Sequence, residues 1–285
     1  MNGLLLRNLR LFFSSKTRVF FSLLGALISF VLYLIFLRKM MIQTWNSFNG
    51  TVKLLDLWLM GGTLAVTAII TTGSALSMMV EDRENSRLAD LILTDQSYTK
   101  IHLAYLFSAW LIGLIMQIAM YIVMQSYFML ADGLELDGTI ILPVFLIMVF
   151  SSLIWSIFNM VLLSFVKNVN TVGHINTILG TASGFFAGVY IPIGNLPNFA
   201  KDLMKITPVP YNAALFRKVM VNDQLTKVFN GVPQKMVANF KQKMGLIISG
   251  NSTNDMKILL LSLIILSVLG IILYRSNKNM VVSKI

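Results

Sequence analysis

The sequence predicts an all-helical membrane bundle, and three observations carry that prediction. Hydrophobic residues make up 56% of the 285-residue chain and charged residues only 12%, with a mean hydropathy of +0.75. A soluble domain of this size needs far more polar surface. The charges are also clustered, which leaves six uncharged stretches at 19–37, 57–80, 103–129, 140–166, 172–193 and 258–274. A helix needs about 20 apolar residues to cross hydrocarbon. Backbone groups at that depth must be paired internally, and these stretches are too long and too evenly apolar for barrel strands, which alternate over about ten residues. The reading is one transmembrane domain over 1–285 with six spanning helices.

Residues 1–17 precede the first span. Leu5, Leu6, Leu9, Phe12 and Phe13 share one side of a helical wheel, and Gly3, Arg7, Arg10 and Ser14 the other, which predicts a helix lying in the membrane interface. The first span has basic residues ahead of it but is too long for a signal h-region and has no A-x-A site, so it is expected to stay in the mature chain. A short outer connection is expected at 38–56.

After the second span the chain turns abruptly polar. Six of residues 81–94 are charged, namely Glu81, Asp82, Arg83, Glu84, Arg87 and Asp90. Leu88, Leu91 and Ile92 give this segment an apolar ridge at helical spacing. A charged helix held between two spans, within the loop 81–100, is placed to take a push from a soluble partner; the plainer reading is a solvated loop.

The segment 194–257 is the longest polar region. Asn195 is expected to cap a short helix with Pro197 in its first turn, running to Ile206 and broken by Thr207-Pro208-Val209-Pro210. A second helix over 211–221 places Leu215, Phe216, Val219 and Met220 together. Both are expected to re-enter the outer leaflet, while 222–255, with Lys227, Lys235, Lys241 and Lys243, is expected to be exposed.

The net charge of +11 follows from membrane topology rather than from nucleic-acid binding. Arg7, Arg10, Lys16 and Arg18 flank the first span, Arg83, Arg87 and Lys100 follow the second, Lys167 follows the fourth, and Arg275, Lys278 and Lys284 lie in the tail. The connection 130–138 carries only Asp132, Glu135 and Asp137. This asymmetry puts both termini in the cytoplasm, although Arg38, Lys39 and Lys53 run against it.

Several chemistries lack their residues. There is no cysteine, so no disulfide or thiol chemistry. No G-x-x-x-x-G-K-[ST] loop is present, so the chain does not bind ATP in that way. No His, Asp and Glu cluster has metal spacing, and no serine has a matching base. His102 and His174 read as polar residues at span ends. With no carboxylate inside the six stretches, an ion-coupled carrier or channel lacks its usual relay. The chain is expected to be non-catalytic and to bind no cofactor itself.

Gly180, Gly184 and Gly188 recur every four residues on the fifth span, and Gly61 and Gly62 lie on the second. Small residues at this spacing allow close helix approach. Packing inside one subunit and contact with a partner subunit or pathway both remain open. Phe185, Phe186 and Tyr190 near the same span end are candidates for substrate contact or for interface anchoring. Gln117 and Asn159, mid-span, read as interhelical hydrogen bonders.

Four stretches together resemble a known family. They are Arg7-Asn8-Leu9-Arg10-Leu11-Phe12-Phe13 followed by Lys16-Thr17-Arg18-Val19-Phe20-Phe21; Val80-Glu81-Asp82-Arg83-Glu84 with Leu88, Asp90 and Leu91; Tyr190-Ile191-Pro192-Ile193-Gly194-Asn195-Leu196-Pro197; and Pro208-x-Pro210-Tyr211 with Ala213-Ala214-Leu215-Phe216-Arg217. In order and position relative to the spans, the chain resembles the membrane subunits of type-2 ABC exporters, the bacterial drug, peptide and polysaccharide permeases. The resemblance implies a bacterial cell-membrane exporter in which two permease subunits pair, as a homodimer or, as the alternative, a heterodimer, above separate ABC ATPase subunits that hold ATP and Mg. It implies that Glu81, Asp82, Arg83, Glu84 and Arg87, with Leu88 and Leu91, form the ATPase-coupling helix, and that the second and fifth spans meet the partner or line the pathway. A hydrophobic or amphipathic cargo (drug-like, as in multidrug resistance, lipid-like or peptide) is expected, with lipid-linked polysaccharide as the alternative; a membrane scaffold is the reading from another class. Two departures stand out: Ser86 where the family has Gly nearby, and Thr94-Asp95 where it has Ser-Pro or Thr-Pro.

Overall fold

The structure, a computed structural model, describes residues 2–45, 50–93 and 97–282, with side chains through Arg275. The Thr94-Asp95 departure lies outside the described residues. The described residues form helices and connecting turns. In chain order the helices are α1 (Asn2–Ser14), α2 (Lys16–Trp45), α3 (Thr51–Glu84), α4 (Arg87–Leu93), α5 (Tyr98–Asp132), α6 (Gly138–Ser164), α7 (Val169–Phe186), α8 (Asn198–Lys205), α9 (Val209–Val228), α10 (Gln234–Lys243) and α11 (Ser252–Val282). Five of them, α2, α3, α5, α6 and α11, are long and apolar enough to cross a membrane.

Polar caps set the helix starts. The side chains of Ser15, Ser97, Asp137 and Asn168 accept backbone N–H groups at the first turns of α2, α5, α6 and α7, satisfying donors that a helix start leaves free.

α3 is the axis of the bundle. It packs on α2, α5, α6, α7 and α9, and its apolar window is almost wholly buried. Its composition allows this. Thr67, Thr71 and Thr72 donate their hydroxyls to carbonyls one turn back at 2.7–2.8 Å, so they need no outside partner. Around it, Gln117 of α5 donates to the Leu64 carbonyl at 3.1 Å, Ser152 of α6 donates to Gln117 at 2.6 Å, and Asn159 of α6 donates to the Ile69 carbonyl at 2.9 Å. α11 is the opposite case: it packs on α6 and α9 and leaves most of its apolar surface outside.

Several expected boundaries move. α2 continues past 37 to Trp45, so the connection is not 38–56; Asp56 lies inside α3 and is fully buried. The helix at the second span does not stop at Val80 but carries Glu81–Glu84 as its last turn. The expected fifth span, 172–193, is an 18-residue helix that ends at Phe186. Gly188 then adopts φ +64°, a left-handed position open to glycine, and the chain turns before Pro192. α8 begins at Asn198 rather than at an Asn195 cap. α9 begins two residues earlier than expected and runs on to Val228, because Pro210 falls in its first turn, where no N–H is needed. The stretch 222–255 is not simply exposed: Phe240, Met244 and Leu246 enter the main core beside Trp58 and Phe229, while the lysines point away.

Candidate functional site

The charged last turn of α3 forms a corner that ties five other helices to it, α1, α2, α5, α6 and α7. Asp82 is buried. Arg7 of α1 reaches it with two hydrogen bonds, 2.7 and 2.9 Å, and the Tyr105 hydroxyl of α5 donates to it at 2.6 Å. Arg87 stands 3.7 Å away. A bidentate guanidinium–carboxylate pair fixes direction as well as distance. The hydrogen bonds to Asp82 raise the Arg7 pKa above its ordinary value, which keeps the guanidinium charged. Beside it, Arg18 at the start of α2 pairs with Glu81 at 3.1 Å. Arg83 donates to the carbonyls of Ser164 and Val166 at 3.4 and 3.1 Å, where α6 ends. Glu84 accepts the Val169 N–H at 2.7 Å, a carboxylate at the N-terminus of α7 where the helix dipole favours it.

α4 follows after a tight turn in which Ser86 takes φ +61°. This is where the resemblance expects Gly nearby. Leu88 is buried in the core with Phe12, Leu76 and Tyr105, and Leu91 and Ile92 pack on the same cluster. The opposite face, Ala89, Asp90 and Leu93, is exposed, as are Glu84 and Arg87. The seven proposed coupling residues thus divide. Asp82, Leu88 and Leu91 anchor α4 to the bundle, Glu81 and Arg83 brace neighbouring helices, and Glu84 and Arg87 remain on the surface with Ala89, Asp90 and Leu93.

α1 reaches this corner by burying one side. Phe12 and Asn8 are inside, with Asn8 donating to Ser108 of α5 at 3.3 Å, while Leu6 and Phe13 stay exposed. Arg7, on the polar side of the helical wheel, turns inward to Asp82. Neither Arg7 nor Tyr105 stood out in the sequence, because nothing in local periodicity marks partners 75 and 23 residues away.

A groove of about 1,090 Å³ runs along the side of the bundle between α2 and α7. One wall carries Phe21, Leu24, Ile28, Leu32 and Phe36 from successive turns of α2, with Thr17 and Ser22 beside Arg18; the other carries Asn176, Thr177, Thr181 and Phe185 of α7, with Ile70 and Ser74 of α3 as the floor. Arg18 sits at one end and Tyr190 at the other. Among the described residues, no carboxylate lines it. Phe185 meets Tyr190 edge to face at 4.9 Å, and the Tyr190 hydroxyl is 3.0 Å from Ser29. Phe186 turns the other way, onto the main core.

The glycines do not act as one stripe. A Cβ on Gly184 would lie 2.3 Å from the Tyr190 ring, and one on Gly62 would lie 2.6 Å from the Arg217 Nη2. A Cβ on Gly61 would approach the Arg217 backbone nitrogen to 2.9 Å. These three make room within the chain. Gly188 lies beyond the helix, and Gly180 lines the groove.

Arg217 of α9 is fully buried, with no ion-paired carboxylate among the described residues. It donates to the carbonyls of Trp58 and Gly188 at 3.2 and 3.3 Å and lies 4.3 Å from the Trp58 ring, a cation–π contact. Burial pulls its pKa down to about 9, which leaves it charged at neutral pH. Trp58 in turn donates to the Met244 carbonyl at 2.6 Å. Arg217 thereby joins α3, the turn after α7, and α9.

A search of the curated proteins finds no match to this chain. The family model described as ABC-2 type transporter matches residues 3–221, which takes in α1, the charged corner, both walls of the groove and Arg217. The chain belongs to the ABC-2 type transporter family: it is a multi-pass membrane permease subunit that works with ABC ATPase subunits.

Proposed function

We propose that this permease exports a hydrophobic or amphipathic compound from the bacterial cytoplasm, and that two copies pair across the groove between α2 and α7. The groove is the observation that carries this reading. It has the volume of a small-molecule site, a mainly apolar lining with hydroxyls interspersed on both walls, and no carboxylate among the described residues. An amphipathic molecule matches such a lining. The groove opens on the side of the bundle, so a second copy closes it into a pathway.

The charged corner lies on the cytoplasmic side, in keeping with the basic residues gathered there. The exposed face of α4 meets the ATPase. ATP and Mg belong to that partner, and closure of the ATPases pushes on α4. Leu88 and Asp82 pass the push to α3, the axis of the bundle.

The test is transport of fluorescent amphiphiles into inverted vesicles that hold the permease and its ATPase. ATP-dependent uptake, with no ATP turnover by the permease alone, is expected. Thr181→Trp, which fills the groove, should lower uptake at least tenfold while the subunit still inserts. Unchanged uptake in that variant places the pathway elsewhere.

A further inference from the structure

At the end of α3 remote from the charged corner, four polar side chains from three helices meet inside the bundle. α2 supplies Tyr33 and Arg38. Five residues apart, they would diverge by about 140° on a regular α-helix. A π turn over Tyr33–Leu37, closed by the Arg38 N–H donating to the Tyr33 carbonyl, brings them to one side. Such turns concentrate at functional sites. α3 supplies Asp56 and α5 supplies Asp132. Arg38 pairs with Asp132 through Nη2, and its Nε lies 3.7 Å from Asp56 Oδ1, too far for a hydrogen bond.

The cluster is incomplete. Both Asp56 carboxylate oxygens, Asp132 Oδ2 and the Tyr33 hydroxyl are buried without a hydrogen-bond partner. Tyr33 is fully buried, and its hydroxyl is near enough to Asp56, Arg38 and Asp132 to interact with them electrostatically. Arg38 and Asp132 are the charges acting on Asp56, and Leu54, Leu55, Leu57 and Trp58 around it belong to the apolar core. Two carboxylates face one guanidinium. If both were ionised, one negative charge would be left buried and uncompensated, which proteins avoid by pairing, protonation or ion binding.

We propose that Asp56, Asp132 and Tyr33 form a binding site for one small cation, a proton or Na+, whose presence holds α2, α3 and α5 together at this end. Asp132 and Arg38 are 12% and 21% exposed, so the cation enters past them to the sealed Asp56. A proton taken from water would be shared between the two carboxylates in one O–H···O bond. Na+ would instead take the four free oxygens as ligands, in the manner of hard cations. This site is separate from the groove and does not rest on the export reading.

The test is thermal unfolding of the full chain in lipid nanodiscs, from pH 6 to 9 in choline chloride, and with NaCl replacing choline chloride at pH 9. A proton site gives a Tm that falls by several degrees as pH rises, with no rescue by Na+. A Na+ site gives a Tm several degrees higher in NaCl than in choline chloride at pH 9. Asp56→Asn supplies a neutral donor in place of the carboxylate, so it should abolish either response and be at least as stable as wild type at pH 9. Tyr33→Phe removes only the hydroxyl and should shift the midpoint of whichever response is seen, which keeps the site testable if Asp56→Asn fails to insert. Wild type with no response to pH or Na+, or variants that respond as wild type does, would overturn the proposal.

Discussion

The two ends of α3 carry charge in opposite ways. At the Glu84 end, each acidic side chain of the last turn has a partner: Asp82 with Arg7 and Tyr105, Glu81 with Arg18, and Glu84 with the start of α7. At the Asp56 end the buried charges are unequal: Asp56 lacks a donor, and Arg217 lacks a carboxylate. A fully satisfied polar network is rigid, whereas a buried polar group left without a partner is costly. On the mechanism proposed above, the Glu84 end is the one that would receive the push from the ATPase, which a rigid network suits.

The largest effect is expected from breaking the rigid end. Arg7→Ala leaves Asp82 buried with the Tyr105 hydroxyl and, as countercharge, only the more distant Arg87. Removing one partner of a buried pair costs about 3–5 kcal/mol; because the Arg7 side chain is 30% exposed, solvent screening brings the expected loss to about 2–3 kcal/mol. The Tm should fall by roughly 5 °C or more. A double-mutant cycle with Asp82→Asn should return part of the loss; strict additivity would mean the two side chains do not interact.

Overpacking gives the next effect. Gly184→Ala places a methyl against the Tyr190 ring, at a cost of about 1–3 kcal/mol. Tyr190→Ala should restore stability in the double variant. If shortening Tyr190 rescues nothing, Gly184 serves contacts outside this chain. At the far end, Trp58→Phe removes the bond to the Met244 carbonyl and weakens the contact with Arg217. The expected loss is about 2 kcal/mol, read by thermal unfolding, and greater protease sensitivity near α10 should accompany it.

The smallest effect falls at the start of α6. Asp137 accepts hydrogen bonds from the Thr139 N–H and hydroxyl at 2.9 and 2.7 Å, which hold its carboxyl below the usual range. Its stabilisation is therefore present above the ordinary carboxylate pKa and is lost as pH falls through the lowered value. Asp137→Ala should melt slightly below wild type at pH 7, with the gap closing under acid conditions. A gap that persists in acid would assign the effect to something other than the carboxylate.

Much of this was legible in the sequence. Five of the six uncharged stretches marked helices long and apolar enough to cross a membrane, and the abrupt polarity after Val80 marked the corner. Leu88, Leu91 and Ile92 at helical spacing gave the buried ridge of α4. What escaped was long-range or irregular. Arg7 and Asp82 are 75 residues apart, and a pairing over that distance leaves no periodic trace. A π turn adds one residue to one helical turn, and the apolar run 19–37 reads the same with or without it. The run 172–193 stays apolar past the end of α7, so hydropathy could not show that Gly188 had already turned the chain. Asp56 lay one residue outside an apolar stretch and was assigned to a connection, although α3 had begun at Thr51.

The central claim is that the exposed face of α4 is where the ATPase docks. The chain has no cysteine, so one introduced thiol is unique. Ala89→Cys, on the exposed face of α4, and Asn230→Cys, exposed after α9 at the other end, should be compared in membranes holding both subunits, with a short thiol-to-amine crosslinker. Ala89→Cys is expected to crosslink to the ATPase and Asn230→Cys is not. Crosslinking from Asn230→Cys, with none from Ala89→Cys, would contradict the account.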